Sequence, residues 1–147
     1  MSSSIVSLLV ALMNAFATTP GLAQPAAGDD VKVDGSRYGQ ILVDGHGRTL
    51  YLFTRDRGGK SRCYGECAKA WPPQLLHGDH LTGQGLDRSK LGATTRRGGA
   101  RQVTYAGHPL YYYVGDRRPG QILCQNVVEF GGTWLVVSPA GRAVRGG

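Results

Sequence analysis

One short phrase occurs twice in this chain, sixty residues apart. Residues 47–56 read G-R-T-L-Y-L-F-T-R-D and residues 107–116 read G-H-P-L-Y-Y-Y-V-G-D. Gly47 aligns with Gly107, Leu50 with Leu110, Tyr51 with Tyr111, Phe53 with Tyr113 and Asp56 with Asp116, without a gap. An internal repeat limits architecture before any single residue does, because each copy must fold by the same local plan and then pack on the other. Both copies are rich in β-formers and sit beside turn chemistry, so the plan is a hairpin.

The first copy is preceded by Tyr38 to Val43, a strand candidate, and by Asp44-Gly45-His46-Gly47, where glycine tolerates the positive φ of a turn. Thr49 to Thr54 is the return strand. Alternation puts Tyr51 and Phe53 on one face and Leu50 and Leu52 on the other. Both faces are apolar, so this strand is expected to be central. In the second copy Arg101 to Tyr105 is a strand, Ala106-Gly107 a two-residue turn, and Leu110 to Val114 the return strand, with Pro109 at its start, where a missing N–H is tolerated. Thr133 to Val137 is a further strand, turned by Ser138 to Gly141 toward Arg142 to Val144. Cys63 to Trp71 can form a short helical turn stopped by Pro72-Pro73. The fold class expected is mainly β: a small antiparallel domain of two pseudo-symmetric hairpin repeats, with one helical turn near residues 63–71. The 23 glycines suit turn-rich β structure.

The N-terminus addresses the compartment. Residues 5–17 are a short apolar stretch, broken by Pro20 and Gly21 and followed by small residues at Gly21 and Ala23. That is the pattern of a secretory signal peptide, and it is too short for a spanning helix of about 20 apolar residues. The expected organisation is a signal peptide over 1–23, a flexible Pro/Ala/Gly/Asp-rich leader over 24–36, and one β domain over 37–147. Within that domain repeat 1 covers about 37–76, a Gly/Arg-rich loop about 77–100, and repeat 2 about 101–144. A periplasmic or secreted protein is expected, with no transmembrane helix once the signal is removed. No cysteine lies near the cleavage site to carry a lipid.

The chain has 17 Lys+Arg against 10 Asp+Glu, a net charge of +7. Basicity of this size favours anionic surfaces such as lipid headgroups or acidic polysaccharide. The charges are scattered, however, with the densest groups at Arg96-Arg97 with Arg101 and at Arg117-Arg118. No run of five and no nucleic-acid motif is present, so a solvated basic surface is expected and no specific nucleic-acid partner.

Three cysteines remain to be placed. Cys63 and Cys67 form a C-x-x-x-C pair, and Cys124 stands alone. After export the pair is expected as a disulfide that pins the turn delivering Trp71. Two alternatives stay open: a cuprous site, since two thiolates suit soft copper, drawing on His77 and His80 of the H-x-x-H loop; and a redox-active dithiol. Cys124 is the odd thiol, either buried and inert, paired across chains, or able to displace a partner of the 63–67 bridge. Tyr51, Phe53, Tyr111, Tyr113, Trp71 and Trp134 read as core aromatics, or alternatively as an exposed platform for a sugar. Asp56 and Asp116 close their strands and are expected to bond nearby backbone N–H groups. No catalytic residues are assigned: G-x-S-x-G, the phosphate loop and H-E-x-x-H are all absent.

Tyr51 to Asp56 and Tyr111 to Asp116 both fit Y-x-[FWY]-x-x-D. Together with Cys63, Gly65, Cys67-Ala68, Trp71-Pro72-Pro73, Gly107 to Tyr111 and Gly132-Thr133-Trp134, they resemble a bacterial family of predicted lipoproteins and secreted-repeat proteins of unknown function. The resemblance covers about residues 37–137. It implies an exported, envelope-associated protein of two repeats and supplies no catalytic residue or cofactor. The chain departs from the family's pattern at the missing lipid-attachment cysteine and at Cys124. The function expected is a non-enzymatic binding or structural module for an envelope component or protein, with copper or thiol-redox handling and aromatic carbohydrate binding as alternatives.

Overall fold

The structure, a computed structural model, describes residues 30–146; the expected signal peptide and the first part of the leader lie outside the described residues. It is built of nine strands, β1 Asp30–Ser36, β2 Gly39–Asp44, β3 Tyr51–Phe53, β4 Thr82–Gln84, β5 Leu91–Thr95, β6 Arg101–Tyr105, β7 His108–Pro109, β8 Val127–Glu129 and β9 Gly132–Val136. One helix, α1, spans Glu66–Ala70, and a 3-10 turn spans Arg88–Lys90. Three three-stranded sheets have the orders β2-β1-β4, β3-β9-β8 and β5-β6-β7. All pairs are antiparallel except β1 with β4.

Each repeat follows one plan. A hairpin comes first, β1-β2 in one copy and β5-β6 in the other. A tight turn then leads into the Leu-Tyr segment. Ala106 and Gly107 both have positive φ, 49° and 78°, as a two-residue hairpin turn of the primed type requires. The strand alternation holds as expected: Tyr51 and Phe53 enter one buried cluster with both tryptophans, while Leu50 and Leu52 enter a second with Val103, Leu110 and Leu135. β3 is therefore covered on both faces. The helix ends at Ala70, with Trp71 as the cap directly before Pro72, and starts after Gly65 at φ 59°.

Three expectations are corrected. The leader does not extend to residue 36: β1 is a strand whose Val31 is fully buried, and burial of this residue outweighs the Asp/Gly-rich composition around it. Residues 77–100 are not one long loop, since they contain β4, the 3-10 turn and β5. β5 is hard to read because Gly92 and Ala93 are weak strand formers; its state is set by the ladder to β6, from Leu91↔Tyr105 to Thr95↔Arg101. Finally, Leu110 to Val114 is not a continuous strand. The segment beside it is Trp71 to Gln74, and prolines 72 and 73 have no N–H to give a ladder. What survives are Gln74 N to Leu110 O at 2.9 Å, just past the prolines, and two bonds donated the other way, Tyr112 N to Pro72 O at 2.8 Å and Val114 N to Ala70 O at 3.0 Å.

Candidate functional site

The two copies meet at Tyr51 and Tyr111, whose backbones exchange both hydrogen bonds, at 2.8 and 3.0 Å. From this point the contacts cross. The Tyr51 hydroxyl donates to Asp116 Oδ2 at 2.6 Å, and the Tyr111 hydroxyl donates to Asp56 Oδ2 at 2.8 Å. Each aspartate belongs to the other copy. Its remaining oxygen does what the sequence suggests, closing its own turn: Asp56 Oδ1 accepts from Arg62 N at 2.8 Å, and Asp116 Oδ1 from Leu123 N at 3.0 Å. Burial pushes both carboxyls above the usual range, partly offset by these donated bonds. Burial, followed by the facing carboxylate, holds the Tyr51 phenol far above its ordinary value, and the Tyr111 phenol likewise.

The aromatic residues cross in the same way. Phe53 stacks on Trp134 at 4.0 Å and 7°, Trp134 on Trp71 at 4.0 Å and 4°, and Tyr113 closes the column against Trp71 at 4.9 Å and 40°. Tyr51 and Tyr111 meet Trp71 and Trp134 edge-on. Trp71, Trp134, Tyr51 and Tyr111 are all fully buried. The aromatic platform for a sugar is thereby overturned: ring faces packed on each other are not available to a ligand. Gly132 serves the column directly, since a Cβ there would fall 2.5 Å from the Phe53 ring.

The parts that the copies do not share lie beyond Asp56. Cys63 and Cys67 are joined in a disulfide, with Cα atoms 5.2 Å apart. Bonded to each other, the two sulfurs present no thiolate to a metal. His77 and His80 are exposed on their loop, and among the described residues no three His, Cys, Asp or Glu side chains converge as a metal site. The four residues of the candidate copper set are not brought together. Cys124 is half-buried and free, with its thiol raised above its ordinary value by burial. Because the bridge closes a very short loop, Cys67→Ser is expected to cost about 2 kcal/mol, read from the urea midpoint. The native chain should titrate one free thiol per molecule, and two or three would contradict the bridge.

Sequence reasoning missed Arg96. It is nearly buried, and its guanidinium donates to Cys63 O at 2.6 Å, Gln102 Oε1 at 2.6 Å and Ser61 Oγ at 2.8 Å. It therefore pins the disulfide turn to β6 and is not part of a solvated surface. The other basic residues are less scattered than their spacing suggests. Arg55, Lys60, Arg62 and Arg97 line one open recess of about 520 Å³. A second recess of about 510 Å³ borders the same turn at Asp56 and Arg57, with His108, Arg142 and Arg145 also in its wall. Only Arg96-Arg97 hinted at this, as a dense pair.

A family model described as a secreted repeat of unknown function matches the chain twice, over residues 32–74 and 92–138. The chain belongs to this family, Lipoprotein_15. As a secreted repeat it has matched segments that begin within β1 and β5, in agreement with the hairpin-first plan of the fold. No curated protein and no solved structure matches the chain. Among the described residues of this secreted repeat, no helix is long and apolar enough to cross a membrane.

Proposed function

We propose that this secreted repeat is a non-enzymatic binding module of the bacterial envelope, acting in the periplasm or at the outer surface without a cofactor. One observation carries the reading. The acid and hydroxyl groups that the repeat supplies in duplicate are engaged with each other across the two copies, Tyr51 with Asp116 and Tyr111 with Asp56. Groups so engaged hold two half-domains together and are not poised on a substrate. Of these four groups only Asp56 reaches an open recess; the polar side chains around it there and in the neighbouring recess are mainly cationic and come from the turn around Asp56, the end of β5 and the 142–145 segment. The bonded cysteines likewise favour a scaffold role over thiolate copper binding.

The test is sedimentation of the purified exported chain with isolated envelope fragments, alongside assays for hydrolysis of ester, phosphate and glycoside reporters. Saturable co-sedimentation without turnover is expected. Turnover that disappears in Asp56→Asn, in a variant that remains folded, would overturn the reading.

A further inference from the structure

The recess formed by Arg55, Lys60, Arg62 and Arg97 has a composition unlike a general surface. No carboxylate lines it, and none of the four cations takes part in a salt bridge among the described residues. Its remaining wall is Ser61, Tyr64 and Thr95, all hydroxyl-bearing, with no aliphatic side chain. Drug-like ligands take mainly apolar pockets. This one offers charge and hydrogen-bond donors.

It is also built rather than loose. The Arg62 N–H is held by Asp56 at 2.8 Å, the next residue is bridged Cys63, and the Arg97 N–H donates to the Tyr64 hydroxyl at 3.1 Å. The Arg97 guanidinium lies 3.8 Å from the Tyr64 ring centre, and the buried Arg96 guanidinium lies 4.4 Å from it. The local potential is positive enough to show on Tyr64: partial burial acts to raise its phenol, yet the Arg97 N–H bond and the two guanidinium charges bring it below its ordinary value. Four like charges gathered with no carboxylate in the wall oppose the folded state, and a site that accepts such a cost is one where an anion can restore it.

The donor set indicates the anion. Guanidinium groups match oxyanions through paired N–H bonds, and an ammonium with hydroxyls beside them fits an oxygen-rich tetrahedral group better than a single carboxylate. We propose that the recess between the 55–64 turn and the end of β5 binds a phosphate group of an envelope component. This rests on the binding-module reading and names the ligand chemistry of that module.

Inorganic pyrophosphate is the probe, titrated calorimetrically into the full exported chain. Wild type should bind it. Arg62→Ala and Arg97→Ala should each weaken binding about tenfold, the loss expected for a charged hydrogen bond. Raising salt from about 0.01 M to about 1 M should abolish binding, as the screening length falls from about 30 to about 3 Å. Arg117→Ala with Arg118→Ala, outside the recess, should leave binding unchanged, and urea midpoints establish that each variant is folded. Phosphatidylglycerol vesicles separate the sources. Vesicle binding that pyrophosphate displaces puts the phosphate on a lipid headgroup; pyrophosphate binding without vesicle binding puts it on a soluble or glycan-linked group. Both outcomes support the site. Absence of pyrophosphate binding, or binding that only the Arg117 and Arg118 changes remove, overturns it. The binding-module reading fails separately: if the Arg62→Ala, Arg97→Ala chain still sediments with envelope fragments, the module stands without this site, whereas turnover ends the module reading whatever the titration gives.

Discussion

Trp134→Ala is expected to lower the unfolding free energy by about 3–5 kcal/mol, the range for removing a large buried aromatic. The side chain is fully buried and sits in the middle of the ring column, with Phe53 on one face, Trp71 on the other and the edge of Tyr111 against it. Truncation removes contacts to both repeats at once, because Phe53 and Trp71 come from the first copy and Tyr111 from the second. The surrounding rings are held by β3, β9 and the Pro72-Pro73 segment, so the space can collapse only in part. A domain of this size has about 5–15 kcal/mol in total. The variant should therefore unfold at a much lower urea concentration with an unchanged slope, and Trp134→Phe should fall between the two. Val128→Ala is the control; at 75% exposure it should stay within about 0.5 kcal/mol of wild type. If Trp134→Ala costs no more than Val128→Ala, the column is not what joins the repeats.

The column also shows what the sequence made legible. Strand alternation assigned Tyr51 and Phe53 to one face and Leu50 and Leu52 to the other, and β3 keeps that order because both its faces are buried, although it ends its sheet rather than lying at the centre as expected. The helical turn was legible from Pro72-Pro73, since a missing N–H ends a helix wherever it falls. The strand beside those prolines was misread for the same physical reason, as its ladder depends on the partner's donors and not on its own composition. Correspondences beyond the gap-free phrase were also present. Cys63 and Cys124 are 61 apart, and Trp71 and Trp134 are 63 apart. Allowing one inserted residue places Cys124 at the position of Cys63, where the first copy begins a bridge, and it stands free because no later cysteine follows in the sequence to pair with it. Of the basic recess only the Arg96-Arg97 pair was legible. Its four cations come from the 55–64 turn and from the end of β5, and only the fold brings these together.

Asp116→Ala is expected to cost about 3–5 kcal/mol at neutral pH, because it orphans two donors, the Tyr51 hydroxyl and the Leu123 N–H, at about 1–3 kcal/mol each. Asp56→Ala should cost less. Asp56 is only half-buried and faces an open recess, so water can take over its donors, whereas Asp116 is 1% exposed. Tyr51→Phe removes the donor alone and should cost about 1.5–3 kcal/mol. Its effect depends on pH with a definite sign. Burial already sets the Asp116 carboxyl above its unfolded value, so the native state holds the proton more tightly, and this group's contribution declines as pH rises through the raised value. Loss of the Tyr51 hydroxyl raises that value further. The cost of Tyr51→Phe should therefore be small below about pH 4, where the carboxyl is protonated in both states, and should grow toward neutrality. The sequence could not say which aspartate serves which tyrosine, since both copies have the same spacing and a pairing within a copy reads the same as a pairing between copies. Double-mutant cycles decide it. Tyr51 with Asp116 should couple by more than about 1 kcal/mol, and Tyr51 with Asp56 by no more than about 0.5 kcal/mol. The reverse order would mean that each copy closes on itself, and the repeat would then be two hairpins side by side rather than one crossed core.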